Sequence, residues 1–300
     1  MRQKHLKSKT PFEILAITIT SILGIIVIIP FVLLIISSLT DNKTLDQYGY
    51  SFWPRKFSLD AYSYLMTNVS TIGRAYGITL LITAVGVCAS LIITSMLAYP
   101  LSRKDYPLRG VQAFLVFFTM IFNGGLVPTY LIYTTIFHIK NTLFGLLIPG
   151  LLMSGFYIMI MKTYFASSIP HEIIESGHID GAGEFKVFYS IVLPISLPIL
   201  ATVGLLVGVN YWNDWFNGLI YITNPKLFSI QNLLNRMLQD IQFLQATAGQ
   251  NAESAETLSK IPTTTIRMAI AVIGSLPVLV VYPFFQKYFA KGMTMGAVKG

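Results

Sequence analysis

From Ile14 to Leu39 the chain carries no charged residue. An uninterrupted apolar run of this length tightly limits what the backbone can do. About 20 apolar residues in a helix cross the hydrocarbon core of a bilayer. Inside that core every backbone N–H and C=O must be satisfied within the protein, which a helix achieves alone. Five further runs of comparable length follow, at roughly 76–101, 111–137, 142–165, 195–222 and 266–288. They predict an all-α membrane protein with six transmembrane helices. Composition agrees, since 54% of residues are hydrophobic and only 11% charged, against about 25% charged in soluble domains. The first run follows the basic segment MRQKHLKSK. A secretory signal has a shorter apolar core of about 7–15 residues and a small-residue cleavage site, so this run reads as an uncleaved span.

The six runs divide the chain into a basic N-terminus (1–13), a six-helix domain (14–290) and a tail (291–300). Arg2, Lys4, Lys7 and Lys9 flank the first run, and Arg103, Lys104 and Arg109 cluster in the short connection after the second. Basic residues in short loops stay on the cytoplasmic side, so both termini are expected inside. The net charge of +8 is explained by that asymmetry and needs no nucleic-acid partner. Cys88, the single cysteine, excludes an internal disulfide and a cysteine-based metal site. The four histidines, His5, His138, His171 and His178, are scattered over loops and give no metal-binding spacing. No Gly-Lys dipeptide occurs anywhere, so the phosphate-binding loop G-x-x-x-x-G-K-[ST] is missing. No catalytic constellation stands out. Energy for any transport would have to come from another chain.

One segment departs from the oily surroundings. Between Pro170 and Pro194, in the predicted inner loop 166–194, lies EIIESGHIDGAGE (172–184), with four carboxylates, a histidine and three glycines. Proline suits a first helical turn, and Glu172 and Glu175 lie where negative charge complements the helix dipole. Ile173, Ile174 and Gly177 form an apolar stripe ending in a bare patch. Gly181 and Gly183 interrupt or end the helix, and the prolines of LPISLP break the chain before the fifth run. Such a segment is either a solvated loop or a short docking helix whose backbone another protein approaches closely.

Two other polar features lie within apolar runs. Asn210, Asn213, Asp214 and Asn217 recur at i, i+3, i+4 and i+7 in GVNYWNDWFNGLIY, beside Tyr211. They either line a wet pathway or glue and anchor helices. In FNGGLVP, Asn123, two glycines and Pro128 should distort the third span, giving a path or a packing kink. The outer segment 223–265 contains Ile230, Leu233, Leu234, Met237, Leu238 and Ile241 at helical spacing. Gln231, Asn232, Arg236 and Asp240 fall opposite them, followed by the polar stretch QATAGQNAESAETLSK. It either caps the bundle or meets an extracellular protein.

The stretch EIIESGHIDGAGEFKVFYSIVLPISLP (172–198) resembles the EAA loop of ABC-importer permeases. Glu175-Ser176-Gly177 occupy the Glu-Ala-Ala places, and Asp180-Gly181-Ala182 match the DGA of the sugar-importing branch. Ile191, Leu193 and Pro194 close the motif. The departure is Ser176-Gly177 for two alanines. Gly177 keeps the approach close but weakens the helix by about 1 kcal/mol. FNGGLVPTYL (122–131) and YPFFQKYFAKGMTMGAVKG (282–300) are similar to the branch that handles complex sugars and oligosaccharides, as in maltose-type permeases. The resemblance implies a type I ABC importer permease fold in a bacterial cell membrane, with no cofactor of its own. It implies a second homologous permease, two ATP-binding cassette subunits that bind ATP, an extracellular solute-binding protein and a carbohydrate substrate. Glu172, Glu175, Ser176, Gly177, Asp180, Gly181, Ala182, Leu193 and Pro194 would couple to the ATPase. The rival reading, a secondary transporter without an ATPase, would call for inverted repeats and buried coupling carboxylates. No repeat between the halves is visible.

Overall fold

The computed structural model describes residues 11–247 and 262–297, the side chains of 282 and 284–297 excepted. The basic cluster at 2–9, the polar stretch 248–260 and the last residues of the tail therefore lie outside the described residues. In chain order the helices are α1 (Pro11–Ser38), α2 (Asn42–Tyr48), α3 (Asp60–Met66), α4 (Val69–Ser102), α5 (Arg109–Ile121), α6 (Leu126–Leu131) and α7 (Phe144–Leu147). They continue with α8 (Gly155–Ser168), α9 (His171–Ile179), α10 (Glu184–Val187), α11 (Leu193–Ile195), α12 (Leu197–Asn213), α13 (Phe216–Tyr221), α14 (Ile230–Thr247) and α15 (Thr263–Ala297). Among the described residues extended pairing is confined to one isolated bridge, Thr40 with Phe57.

The apolar runs become helices of unequal kinds. Among the described residues, three helices are long and apolar enough to cross a membrane: α1, α4 and α15 over Thr263–Val281. Two further bent pairs pass together, which raises the number to five if each pair is one span. The third run, expected to kink, bends by 112° between α5 and the helix Leu126–Ile136. Its break is built by Asn123, whose Oδ1 accepts the Gly125 N–H at 2.9 Å, and by Gly125 at φ +89°. The fourth run, expected as one helix over 142–165, is broken instead. After α7 the chain turns through Pro149 and Gly150 (φ +71°), and α8 keeps only 14 residues. At 1.5 Å per residue that is about 21 Å, short of a bilayer core.

The chain divides into two compact units, one comprising residues up to Val69 with Leu238–Ser275, the other Ser70–Met237 with Leu276 onward. In the first, Leu45, Ala61, Leu65, Ile241, Ile266, Ala269 and Ile270 are buried. Asn42 Oδ1 accepts the backbone N–H groups of Thr264 (3.0 Å) and Thr265 (3.1 Å). These are orphan donors at the start of α15, so α2 caps a helix distant in sequence. In the second unit Ile82, Leu101, Leu146, Ile158, Met161, Val203 and Tyr211 are among the largest buried side chains. Gly86 makes room there, because a Cβ would fall 2.4 Å from the Tyr211 ring.

The amphipathic reading of α14 is correct for Ile230, Leu233, Leu234 and Ile241, which are buried. Asn232, expected on the polar side, is buried as well. Its Oδ1 accepts from Arg236 Nε at 2.9 Å, and its side chain fills the space left by Gly218. Arg236 also donates to the Ile222 carbonyl at 3.1 Å and lies 4.4 Å over the Phe228 ring. A polar pair has been drawn inside because a backbone carbonyl and an aromatic face were there to receive it.

Candidate functional site: the polar hairpin 171–195

The polar segment folds into two short helices joined by a glycine turn. Pro170 precedes α9, and its fixed backbone is suited to a helix start. Glu172 sits in the first turn, and Glu175 pairs with His171 at 3.0 Å. The helix ends as the glycines demand. The Ala182 N–H bonds the Gly177 carbonyl at 3.0 Å, and the Gly181 N–H bonds the His178 carbonyl at 3.0 Å. With Gly181 at φ +78°, this is the Schellman arrangement, which places an unhindered glycine just past the helix end.

The chain then returns through α10 and a π-helical turn, Phe188–Val192. Leu193 N–H bonds the Phe188 carbonyl across that turn. At Ser196 the path bends by 80° into α12, with Pro194 and Pro198 on either side to stop a continuous helix. The two limbs pack tightly at Gly177, where a Cβ would lie 2.9 Å from Ile191 Cδ1 and 3.3 Å from Val187 Cγ2. Ile174, Gly177, Val187 and Val192 are buried. The opposite face is open. Ile179 is 86% exposed, Phe185 80%, and nothing lies within 4 Å of a Cβ at Gly181.

Of the predicted coupling residues, Glu172, Glu175, Ser176, Asp180, Gly181 and Pro194 are exposed, Ala182 and Leu193 are half-buried, and Gly177 is buried. The structure adds a cluster that sequence reasoning missed. Tyr99, near the end of α4, donates its hydroxyl proton to Glu184 Oε2 at 2.9 Å. Arg103 donates to the Tyr99 hydroxyl oxygen at 3.1 Å and lies 3.8 Å from Glu184 Oε1. Its other nitrogens form a fork on Asp105, at 2.9 and 2.6 Å. Those bonds hold the Asp105 carboxyl down to about 2, so the Arg103–Asp105 pair stays ionised and would be lost only as pH falls toward that value. His178 Nε2 stands 3.3 Å from Glu184 Oε1, at ion-pair distance but outside hydrogen-bond geometry. Its Nδ1 is 3.0 Å from the Ala182 carbonyl. Phe188 packs against Tyr99 in a tilted pair with ring centroids 5.3 Å apart. A cleft of about 400 Å³ opens beside this cluster, lined by Met96, Tyr106, Pro107 and Phe185 among others.

The polar residues of the fifth run are not on one continuous helix. The helix stops at Asn213, and Asp214 is its C-cap with extended backbone (φ −72°, ψ 108°). Tyr211 is fully buried and donates to the Leu147 carbonyl at 2.8 Å. Asn217, on α13, is buried and donates to the Pro149 carbonyl at 2.8 Å. Both tie the fifth run to the broken fourth. Asp214 Oδ1 accepts the Asn217 N–H at 3.2 Å. Asn210 is exposed and bonds the Tyr157 hydroxyl at 2.9 Å. Asn213 and Asn123 are exposed too.

Comparison with known proteins places this geometry in context. Residues 90–295 match the family described as binding-protein-dependent transport system inner membrane component. The chain is 37% identical over 294 residues to Protein LplC of Bacillus subtilis (strain 168), covering 98% of this chain and 97% of that protein. It is 34% identical over 291 residues to the polygalacturonan/rhamnogalacturonan transport system permease protein YtcP of the same organism, covering 96% and 98%. Among solved structures it resembles a chain of a bacterial ABC transporter involved in the import of the acidic polysaccharide alginate. The TM-score is 0.78 at 28% identity, with 94% of this chain and 99% of that one covered.

Proposed function

The chain belongs to the family of binding-protein-dependent transport system inner membrane components, and on that premise we propose that it is the membrane-spanning permease subunit of an ATP-driven importer for a carbohydrate. The substrates named for YtcP and for the alginate transporter support a sugar polymer or its fragments as cargo. The partners are a second permease of the same kind, two ATP-binding cassette subunits and an extracellular solute-binding protein. The hairpin 171–195 lies on the cytoplasmic side and is the coupling element that receives the ATPase.

The observation that carries this reading is the division of the hairpin into two faces. One is packed and internally bonded around Gly177. The other presents Ile179, at 86% exposure, and an unobstructed Gly181 backbone. A rigid helix with an apolar residue at its tip has the form of an anchor that inserts into a partner's pocket, and such anchors concentrate binding energy. ATP-driven movement of the ATPases would be delivered to the membrane helices through this element. Asn123, Asn210, Asn213 and Asp214 are the side chains we assign to the solute path, and Tyr211 and Asn217 hold the frame beside it.

Ile179→Glu tests the docking face. At so exposed a position the folding cost is within about 0.5 kcal/mol, so the variant should reach the membrane in normal amount. Burying an unpaired charge in a partner's pocket costs several kcal/mol, so co-purifying ATPase should fall by more than about ten-fold, and uptake with it. Wild-type ATPase recovery and uptake would show that this face is only solvated.

A further inference from the structure

The hairpin is rigid within itself, but a lever works only if it is fastened to what it moves. Among the described residues, a side-chain hydrogen bond leaves its two limbs from Glu184 to the end of α4. Glu184 Oε2 accepts the Tyr99 hydroxyl proton at 2.9 Å. Tyr99 is 8% exposed, and its oxygen in turn accepts from Arg103 Nη1 at 3.1 Å. The Arg103 side chain is only 10% exposed and is clamped by Asp105. Glu184 Oε1 faces His178 Nε2, 3.3 Å away on α9. One carboxylate therefore touches both helices of the hairpin and, through Tyr99, the helix α4. The tilted Tyr99–Phe188 ring contact at 5.3 Å is the apolar half of the same joint.

We infer that Glu184 is a positioning residue that fastens the coupling hairpin to α4 through the Tyr99 hydroxyl, and that this joint sets how much transport each ATP hydrolysed delivers. Glu184 starts the helix α10, so its side chain leaves the hairpin at a defined angle. Tyr99 lies near the end of the 34-residue helix α4, just before Pro100. The bond to Glu184, together with the Phe188 contact, ties a displacement of the hairpin to that helix. The carboxylate is a charged acceptor, and bonds to charged groups are about twice as strong as neutral ones. Arg103 donates into the Tyr99 oxygen, polarising the hydroxyl toward Glu184.

This inference rests on the coupling role proposed above, and the experiment separates the two. The complete transporter would be assembled with Tyr99→Phe, Glu184→Ala, Glu184→Gln or the Tyr99→Phe/Glu184→Ala pair, and its bound ATPase, ATP hydrolysis and uptake measured. Tyr99→Phe deletes one oxygen and keeps the Phe188 contact. Neither change touches the Ile179 face, so the ATPase should stay bound and hydrolysis continue. Uptake per ATP should fall about five-fold or more, the lower end of typical coupling between sites. The double variant should be no worse than Glu184→Ala, because both singles remove the same bond. Glu184→Gln retains an acceptor oxygen but not the charge, and should fall between wild type and Glu184→Ala. A wild-type ratio of uptake to hydrolysis in Tyr99→Phe and Glu184→Ala would overturn the joint. Loss of bound ATPase in Glu184→Ala, as expected for Ile179→Glu, would also overturn it and place Glu184 on the docking face. Normal ATPase binding in Ile179→Glu would instead strike the coupling reading itself.

Discussion

Two glycines that look alike in sequence carry different physical demands. Both Gly177 and Gly181 invite the reading that another protein approaches the backbone. The structure divides the work, since Gly177 is occupied by the chain's own Ile191 and Val187, whereas Gly181 faces open space at φ +78°. Gly177→Leu should overpack the hairpin, at a cost of about 1–3 kcal/mol, and lower the thermal stability of the purified protein even without partners. Gly181 needs a subtler probe, because a leucine there would suffer left-handed strain of about 1–2 kcal/mol on its own. Asparagine tolerates that conformation, so Gly181→Asn should leave thermal stability within about 1 kcal/mol of wild type. It should still reduce co-purifying ATPase, because a side chain now stands where the partner must approach. Unchanged ATPase recovery would move the contact away from this turn. The roles of these glycines were half legible in the chain. Glu184 was visible as one more acid in a polar segment, but its partner Tyr99 lies 85 residues away, and no local spacing announces such a pairing.

At the level of elements, hydropathy located the apolar runs and composition located their breaks only where the breakers were crowded. Asn123, Gly124, Gly125 and Pro128 announce a distortion, and a bend of 112° is there. Pro149 and Gly150 are sparser, yet they divide the fourth run, because Gly150 at φ +71° reverses a chain that hydropathy alone would carry straight on. The asparagine stripe of the fifth run likewise looked continuous at a period of 3.6 residues, but Asp214 caps the helix and turns the chain. Periodicity cannot register a cap inside an apolar run, since the residues on both sides keep the same pattern. The break also sorts these side chains. Tyr211 and Asn217 are spent on the carbonyls of Leu147 and Pro149, while Asn213 remains exposed. Asn213→Leu and Asp214→Asn should therefore lower uptake several-fold while bound ATPase and basal hydrolysis stay near wild type. Normal uptake in both would assign this segment to packing. Asn217→Leu, which orphans a buried carbonyl at a cost of about 1–3 kcal/mol, should instead lower thermal stability.

For the whole molecule, orientation in the membrane follows from α4. Its 34 residues span about 51 Å, well beyond a hydrocarbon core of about 30 Å, and it carries no acid or base from Ala75 to Ser102. A helix of this length and composition is expected to cross once, so the chain before it and the Arg103–Arg109 connection after it should emerge on opposite sides. Arg103, Lys104 and Arg109 lie in that short connection, the type of loop in which the positive-inside bias is strongest. The segment before α4 has as many cations, Lys43, Arg55 and Lys56, but they are spread from 43 to 56 rather than packed into 103–109. Of these, Lys56 is paired to Asp41 at 3.2 Å, and Arg55 lies 3.8 Å over the Tyr48 ring. The 103–109 side should therefore be cytoplasmic, and with it the hairpin that carries Glu184 and bonds to Tyr99. Single cysteines at the exposed positions Ser51 and Ser176, in a Cys88→Ala background, test this on intact cells with a membrane-impermeant maleimide. Ser51→Cys should be labelled at once, and Ser176→Cys only after the membrane is permeabilised. The reverse pattern would put the hairpin outside, where no ATP-hydrolysing partner could reach it, and would remove both the coupling role and the joint built on it.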